Sequence, residues 1–558
     1  MTEKNSLNEM QKTQVETTAA EIQSTQVAAV TAGAGIMGIQ TAQSQWHNQI
    51  VGVKNDNKFK PTMTDFIFAL IAFALGYMFT RWVFFIWNGW GVSVFTALYL
   101  AAATAYLIRK GAFVLSREVV FWFAVTFLTG ISYALWVNQG FAGVRALFLF
   151  SSAVYYILVA SGTTLMGKTS NFLFLDGIRA AFVLPFRNLL NQYVSFSALV
   201  RGEKRGKILP TLIGIVAVVI LASIILPLLV TADAGGFGVV IEFLRPNIGP
   251  RMIGNIVYII LAIPVAAYLF GLISGAIHKK GTDAISREGA KNTVEALRVL
   301  QPITLNIILG AVSVIYLIFI LSQLPYFFSA FTGVKPEGWL AYSEFARQGF
   351  FELVTIAGIN LAILTACNIL SKKHRIESRV LKMFNIILAV ITLILIATAF
   401  SKMALYIGAF GLTMRRLLPC VFMVFLSIVF IALIALQKWD FSIVRFSLIA
   451  GAVILVGLSL SNPDAMVVRY NANRYMAGTL SEFDPEIARR SGPAGVLPAL
   501  EVYNSTDNHV LRGHLRWYLS FHSSHWYDIN RISFETNRAV QATSELRPQA
   551  PLPVINPD

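Results

Sequence analysis

Between residues 61 and 460, long apolar stretches alternate with short charged loops. About 20 mostly apolar residues are enough for a helix to cross the roughly 30 Å hydrocarbon layer of a bilayer. The pattern therefore predicts an all-α fold, a polytopic membrane helix bundle. It contains eleven such stretches, near residues 65–87, 91–108, 119–137, 141–161, 208–230, 252–276, 303–324, 350–370, 381–401, 417–436 and 442–460.

The two ends of the chain have a different pattern. Residues 1–60 are rich in Gln, Thr, Ala and Ser without a charged start and apolar core, which predicts a disordered arm rather than a signal peptide. Residues 461–558 contain no stretch long enough to span a bilayer. Helical spacing of apolar residues around 497–503 and 514–526 predicts two or three short helices there. The chain thus has three parts: an arm (1–60), a transmembrane domain (61–460) and a C-terminal tail (461–558).

Composition excludes a water-soluble enzyme of this size. Of the 558 residues, 56% are hydrophobic and only 13% are charged, about half of the roughly 25% charged residues usual in soluble domains. The two cysteines, Cys367 and Cys420, both lie within apolar stretches, which excludes a disulfide framework.

Basic residues predict the orientation. If the N-terminus is cytoplasmic, 22 Lys and Arg residues fall on the cytoplasmic side and nine on the other. An odd number of spans then places the C-terminus outside. The net charge of +16 is explained by these cytoplasmic loops facing anionic lipid headgroups, so we expect the bilayer as a partner and no nucleic acid.

Two features concern charges near the membrane. The segment 162–207 mixes large apolar residues with Arg179 and Arg187, which predicts an amphipathic cytoplasmic helix with its basic face in the headgroup layer. Arg81 and Arg145 lie inside apolar stretches near their predicted outer ends. Snorkelling of the long side chains to the interface is the simplest interpretation.

Several stretches together resemble a known family. They are LFLDGIRAAFVLPFRN, RGEKRGK before a span ending LLVTADAG, YSEFARQGFFELVTIAGINLAIL, SKMALYIGAFGLTMRRL and NPDAMVVRYNANR. This set is similar to a bacterial integral-membrane family catalogued only as a domain of unknown function. The resemblance covers roughly residues 62–540. It implies a many-span bacterial envelope protein with an extracytoplasmic C-terminal segment, and it implies no established activity.

One group of polar residues could form a path into the membrane: Glu344, Arg347, Gln348, Glu352 and Asn360. Glu344, Gln348 and Glu352 are four residues apart and share one helix face. Ionisable residues at membrane depth are costly to bury and often functional, which suggests a cation or proton site. The alternative is an interfacial ion pair with asparagines that hydrogen-bond neighbouring helices.

A second group follows the last span: Asn462, Asp464, Arg469 and Asn471. These residues could contact a substrate on the outer side. Alternatively, Asn462 and Asp464 end the span and cap the next helix, and the other two dock it.

Histidines are concentrated in the tail, where His522, His525 and Asp528 have a spacing of three residues. This spacing makes them weak candidates for a metal site, and packing of surface histidines against aromatic side chains is the preferred interpretation. We find none of the motifs G-x-S-x-G, H-E-x-x-H or G-x-x-x-x-G-K-[ST]. Their absence disfavours a lipid-modifying membrane enzyme, and we expect no cofactor.

The sequence predicts a multi-pass protein of the bacterial cytoplasmic membrane. Its first functional hypothesis is a permease or channel-like protein for a small solute or ion. The alternative is a non-transporting sensor or scaffold that acts through an envelope protein partner. A continuous polar path through the bundle would favour transport, whereas a dry core would favour the sensor.

Overall fold

The computed structural model describes residues 59–85, 87–196, 250–278, 287–332, 350–371, 379–523 and 532–546, with five single positions between 214 and 229. The chain divides into two compact units, Met1–Lys60 and Pro61–Asp558. Everything described below belongs to the second unit.

The described residues are helical, and their β-structure is limited to one isolated bridge between Leu300 and Ser371. A π-helical turn at Thr80–Phe84 continues α1, and another at Arg179–Val183 joins α5 to α6. In chain order the α-helices are α1 Met63–Phe79, α2 Trp90–Arg109, α3 Arg117–Leu135, α4 Ala142–Ala160, α5 Leu173–Ile178, α6 Leu184–Arg187, α7 Asn191–Phe196, α8 Pro250–Ile277, α9 Arg287–Ala296, α10 Pro302–Thr332, α11 Phe350–Leu370, α12 Arg379–Phe410, α13 Met414–Ala435, α14 Ile443–Leu460, α15 Pro463–Met476, α16 Pro485–Arg490, α17 Val496–Ser505, α18 His509–His522 and α19 Phe534–Ala542.

Ten of these helices are long and apolar enough to cross a membrane: α1–α4, α8 and α10–α14. They correspond to ten of the eleven predicted stretches. The remaining stretch, 208–230, lies outside the described residues apart from the five single positions. The prediction of an all-α polytopic bundle is confirmed, and the protein is a multi-pass membrane protein.

Helix ends follow local capping rules. Thr62 and Asp65 form a reciprocal capping box at the start of α1, in which the Asp65 carboxylate accepts the Thr62 N–H at 2.7 Å. The side chains of Ser116 and Ser442 cap α3 and α14 in the same role. These caps satisfy amide groups that a helix start otherwise leaves without partners.

Close packing of α1 against α8 organises the first part of the bundle. A Cβ atom at Gly76 would lie 2.7 Å from the Ala262 carbonyl oxygen. Small residues at such a crossing let two helix backbones approach, which is how spanning helices commonly associate.

The segment after α4 differs from the prediction. Arg179 was expected at the wet headgroup face, but its side chain is only 3% exposed and donates to the Thr163 carbonyl oxygen. Arg187 is exposed, as are Phe174, Phe182 and other large apolar residues. The reason is that α5 and α6 turn their polar face towards the protein, where Asp176 is also buried. The segment is amphipathic, but part of its basic face is internal.

Two further cores complete the fold. In the second part of the bundle, α10–α13 bury an apolar cluster of Leu, Ile, Ala and Met side chains with few polar members. The tail has a core of its own, formed by side chains from α15, α17, α18 and α19. Five helices lie in the described part of the tail, so the expectation of two or three was too low.

Candidate functional site

Two of the five residues of the predicted polar path, Glu352 and Asn360, lie in the described part of the chain, where polar pairs join α11 to α12. In the central pair, the buried amide of Asn360 donates from Nδ2 to Thr392 Oγ1 at 2.9 Å. The hydroxyl of Tyr316 on α10 is also within hydrogen-bonding reach of Asn360. Three spanning helices therefore meet at this amide.

A second pair lies two turns further along α11. Asn385 Nδ2 donates to Asn368 Oδ1 at 3.4 Å, and Asn368 Nδ2 donates to the Leu364 carbonyl oxygen at 2.6 Å. Both asparagines are thus engaged inside the helix pair.

The third pair is ionic. Glu352, in the first turn of α11, is exposed, and its charge acts on the half-buried ammonium of Lys402 on α12. Lys402 is a residue that the sequence did not single out.

Together these pairs form what we call the polar ladder: Glu352/Lys402, Asn360/Thr392 and Asn368/Asn385. The α11 members are eight residues apart, which corresponds to about 12 Å along a helix. Leu353, Ala357 and Leu364 are buried between them. The polar ladder thus runs along most of α11, and apolar side chains are packed between its pairs. Glu344, Arg347 and Gln348 lie outside the described residues.

The second predicted group forms the junction between the tail and the bundle. Asp464 is 1% exposed, and its Oδ2 accepts the Gly140 N–H at 2.9 Å. Burial raises the pKa of Asp464 from 3.8 to about 6, because the low-dielectric surroundings disfavour its charge. A Cβ atom at position 140 would lie 2.6 Å from Asp464 Oδ1, so glycine is required for this close approach.

Arg145 compensates the buried carboxylates. Its side chain is 1% exposed and donates to the carbonyl oxygens of Trp136 at 3.1 Å and Val137 at 2.6 Å. The guanidinium lies 3.7 Å from the ring centre of Tyr133. The snorkelling expected for Arg145 is therefore wrong: two carboxylates, Asp464 and Glu535, lie near enough to attract the guanidinium, and the chain folds over it.

Glu535 on α19 joins the tail to this cluster. Its carboxylate accepts the Val137 N–H at 3.0 Å and the amide of Asn462. Burial raises its pKa above 4.5. Asn462 has a left-handed backbone with a φ of 53°, and its Oδ1 caps α15. The expected capping role of Asn462 is what the structure contains.

Asn471 holds the loop between α12 and α13. Its Oδ1 accepts the Leu412 N–H and its Nδ2 donates to the Leu412 carbonyl oxygen, both at 2.7 Å. Arg474 adds a bond of 2.8 Å to the Gly408 carbonyl oxygen. We call these bonds of Asn471 and Arg474 the clamp on the α12–α13 loop. The clamp brings the stretches AFGLTMRRL and NPDAMVVRYN together. Arg469 takes no part in it, since it forms an exposed 3.6 Å ion pair with Glu501.

Of the weak metal candidates, only His522 lies in the described part of the chain. It is buried beside the rings of Tyr518 and Phe521, and burial lowers its pKa from 6.5 to about 4. Within the described ranges, no group of three His, Cys, Asp or Glu side chains is arranged to hold a metal ion. His525 and Asp528 fall outside those ranges.

A family model described as a domain of unknown function (DUF4153) matches residues 95–501. The chain belongs to the DUF4153 family. The match covers well over half of the 558 residues and includes both the polar ladder and the clamp on the α12–α13 loop. No curated protein and no solved structure matches the chain significantly.

Four members of these sites were missed from the sequence of this DUF4153 chain: Thr392, Asn385 and Lys402 on α12, and Glu535 on α19. Glu535 lies beyond the family match and more than 70 residues after Asn462, and nothing local marks it. The sequence did contain a signal that could have identified Lys402. It is a charged residue directly after the predicted span 381–401, and charges at such positions warrant a search for a partner.

Proposed function

We propose that this DUF4153 protein is a permease or channel-like protein that moves a small ion, the proton or another monovalent cation, across the bacterial cytoplasmic membrane. The observation that carries the proposal is the polar ladder, since it sets one ionic pair and two amide pairs at regular intervals along a single helix interface. Polar residues inside spanning helices mark ion or proton pathways in many membrane proteins.

The chemistry of each pair fits this role. Glu352 is accessible and ionisable, so it can take up a cation or a proton at the ladder's end. Asn360, Thr392, Asn368 and Asn385 offer amide and hydroxyl groups that can both donate and accept hydrogen bonds. Because about 12 Å separates successive pairs, conduction requires water to enter between α11 and α12. Ala357 and Ala389 are buried in the apolar core, so α11 and α12 have to separate for an ion to pass.

In the orientation that we propose, the N-terminus is cytoplasmic and the tail is outside. The uneven distribution of basic residues supports it. A tag after Asp558 should be digested by protease added to spheroplasts with an intact inner membrane, whereas an N-terminal tag should be protected. The reverse pattern would overturn this orientation.

The transport proposal is tested with purified protein in liposomes that contain a trapped pH or sodium indicator. An imposed potential should drive ion flux that is absent from protein-free liposomes. Glu352→Gln and Asn360→Leu should each abolish most of this flux. Glu288→Gln, which changes an exposed carboxylate on α9, serves as the control. Flux that does not exceed that of protein-free liposomes, or that is equal in all variants, would overturn the proposal.

The second candidate function, a sensor or scaffold, is favoured by a different observation. The tail is joined to the bundle through the buried Arg145, Asp464 and Glu535 side chains, so a partner bound to the tail could act on the spans. A sensor requires the junction but not the polar ladder. If Glu352→Gln preserves a growth phenotype that Glu535→Gln abolishes at equal expression, the sensor takes precedence.

A further inference from the structure

A cavity of about 630 Å³ lies between the α12–α13 loop and the tail. Its walls come from α12, the start of α13, α15 and α16, and they include charged, polar and apolar side chains. The whole cavity falls within residues 95–501, the part of the chain matched by the family. The roles given above to the polar ladder and to the junction between the tail and the bundle do not explain why this cavity is present.

Two arginines at the start of α13 give the cavity a positive end. Arg416 donates to the Phe410 carbonyl oxygen at 2.9 Å and to that of Gly411, and its guanidinium lies 4.0 Å from the Tyr406 ring centre. These bonds hold it in place. Arg415 beside it is exposed and forms no ion pair or hydrogen bond with the described part of the chain.

Two of the three acidic groups of the cavity lie close to a cation, and the third caps a helix. Glu486 accepts from Arg489 at 2.5 Å and from Arg490 at 2.9 Å. Asp484 caps α16 by accepting the Glu486 N–H at 2.9 Å. Asp464 is attracted by Arg145, which lies behind the cavity wall. Arg415 and Arg416 themselves form no ion pair with the described residues.

Backbone geometry adds to this charge. α13 is a helix of 22 residues whose N-cap, Thr413, makes no side-chain capping bond. Amide groups at a helix start favour anions because the helix dipole is positive there. Thr413, Met414 and Arg415 all line the cavity, so the helix start and the two guanidinium groups act on the same space.

A buried polar atom also belongs to the cavity wall. Asp464 Oδ1 has no hydrogen-bond partner among the described residues, although the side chain is 1% exposed. Because burial raises the pKa of Asp464 to about 6, this carboxyl holds a proton mainly below that pH. A protonated carboxyl is a hydrogen-bond donor to an anion.

The remaining walls are apolar: Met403, Tyr406, Met414, Val467 and Ile487. A free inorganic anion would leave this surface unused. A ligand with an anionic group and an attached alkyl part would contact both ends, and planar guanidinium groups are well suited to phosphate oxygens.

We propose that this cavity binds a phosphate ester, with its phosphate at Arg415, Arg416 and the start of α13, and its alkyl part against Met403 and Val467. The ester is either a phospholipid headgroup or a soluble phosphate ester. The proposal does not rest on transport, because it requires only binding.

Binding can be measured by calorimetry on the full chain in a phosphate-free sugar detergent. Two probes separate the sources: dihexanoyl phosphatidylglycerol for the lipid and glycerol 3-phosphate for the soluble ester. Saturable binding of the lipid alone assigns a headgroup site. Binding of glycerol 3-phosphate at comparable affinity assigns a soluble ester. Saturable binding of neither probe would overturn the proposal.

Variants locate the binding. Arg415→Gln removes a charge-assisted contact without touching the bonds of Arg416, and we expect it to weaken binding about tenfold or more. Arg469→Gln removes an exposed arginine that lies outside the cavity lining and should leave binding unchanged. Equal affinity of Arg415→Gln and wild type, with both folded by thermal unfolding, would show that the ligand binds elsewhere.

Discussion

At the junction between tail and bundle, one buried guanidinium donates to two carbonyl oxygens and lies over an aromatic ring, and two buried carboxylates lie near enough to attract it. Along the α11–α12 interface, single hydrogen bonds are separated by about 12 Å of apolar packing, and the only charged pair lies at an exposed end. The junction joins segments more than 300 residues apart in the sequence, whereas the ladder joins two consecutive helices. The two regions also distribute their polar contacts very differently.

The difference indicates what each region can do. At the junction, loss of any member leaves a buried charge without compensation, so the parts can separate only at high free-energy cost. At the ladder, each pair contributes little by itself, because hydrogen bonds between spanning helices average about 0.6 kcal/mol. The junction is therefore suited to fix the tail in place, and the ladder is suited to open and close.

The largest expected effect is at Arg145. Arg145→Met should lower the free energy of unfolding by about 3–5 kcal/mol, because Asp464 and Glu535 would remain buried without their cation. Unfolding of the purified protein in detergent, followed by tryptophan fluorescence, measures this loss. Arg81→Met is the matched control, since Arg81 is exposed and makes one 2.9 Å bond to Asn255. Similar losses in the two variants would contradict a special role for the junction.

The pH dependence of stability gives a second test. Asp464 holds its proton up to a pKa of about 6 in the folded protein, against 3.8 for the ordinary group. As the pH rises from 4 to 6, the Asp464 carboxyl loses its proton in the unfolded chain before it does so in the folded protein. The contribution of Asp464 to the free energy of unfolding therefore falls by roughly 3 kcal/mol over this range. Above pH 6 this contribution is lost.

His522 acts in the opposite direction. Its pKa is about 4 in the folded protein, against 6.5 for the ordinary group, so acidification from pH 6.5 to 4 protonates the unfolded chain first and lowers stability. The two contributions largely cancel in the wild type. We expect Asp464→Asn to lose stability relative to wild type on acidification, and His522→Gln to gain it. Unfolding midpoints measured from pH 4 to 7.5 would contradict this if both variants follow the wild-type curve.

Sequence reasoning was most successful where hydrophobic periodicity decides the structure. Ten apolar stretches become ten spanning helices, because length and composition suffice for that conclusion. Asn360 was singled out from the sequence as a candidate residue of a polar path, but its hydrogen-bond partner Thr392 was not. Pairing depends on the register between two helices, and hydrophobic periodicity does not define that register. Arg145 was expected to snorkel to the membrane surface for a related reason. The sequence shows that the end of a span is near, but it does not show that the Glu535 carboxylate, almost 400 residues later, lies close to Arg145.

A third test concerns the clamp on the α12–α13 loop. Gly411 has a φ of +75°, and a Cβ atom there would lie 2.5 Å from Asn471 Oδ1. Gly411→Ala should therefore cost about 1–2 kcal/mol for the left-handed backbone and about 1–3 kcal/mol more for the clash. Gly478 has a similar φ of +69° with nothing within 4 Å of its Cβ position, so Gly478→Ala should show the backbone cost alone. Unfolding free energies that are equal in the two variants would mean that the loop relaxes away from Asn471.

The smallest expected effect on stability is at the centre of the ladder. Asn360→Leu removes the 2.9 Å bond to Thr392 and should change the free energy of unfolding by only about 0.6 kcal/mol, since the leucine fills the space among apolar neighbours. The same variant should abolish most of the ion flux in liposomes, because it removes the polar group at the centre of the ladder that bonds to α12. Ser313→Ala is the control: Ser313 lies on α10 and bonds only its own helix, at the Leu309 carbonyl oxygen. A loss of several kcal/mol in Asn360→Leu would instead show that the ladder, like the junction, mainly stabilises the structure. Unchanged ion flux would show that the ladder is not part of the transport path.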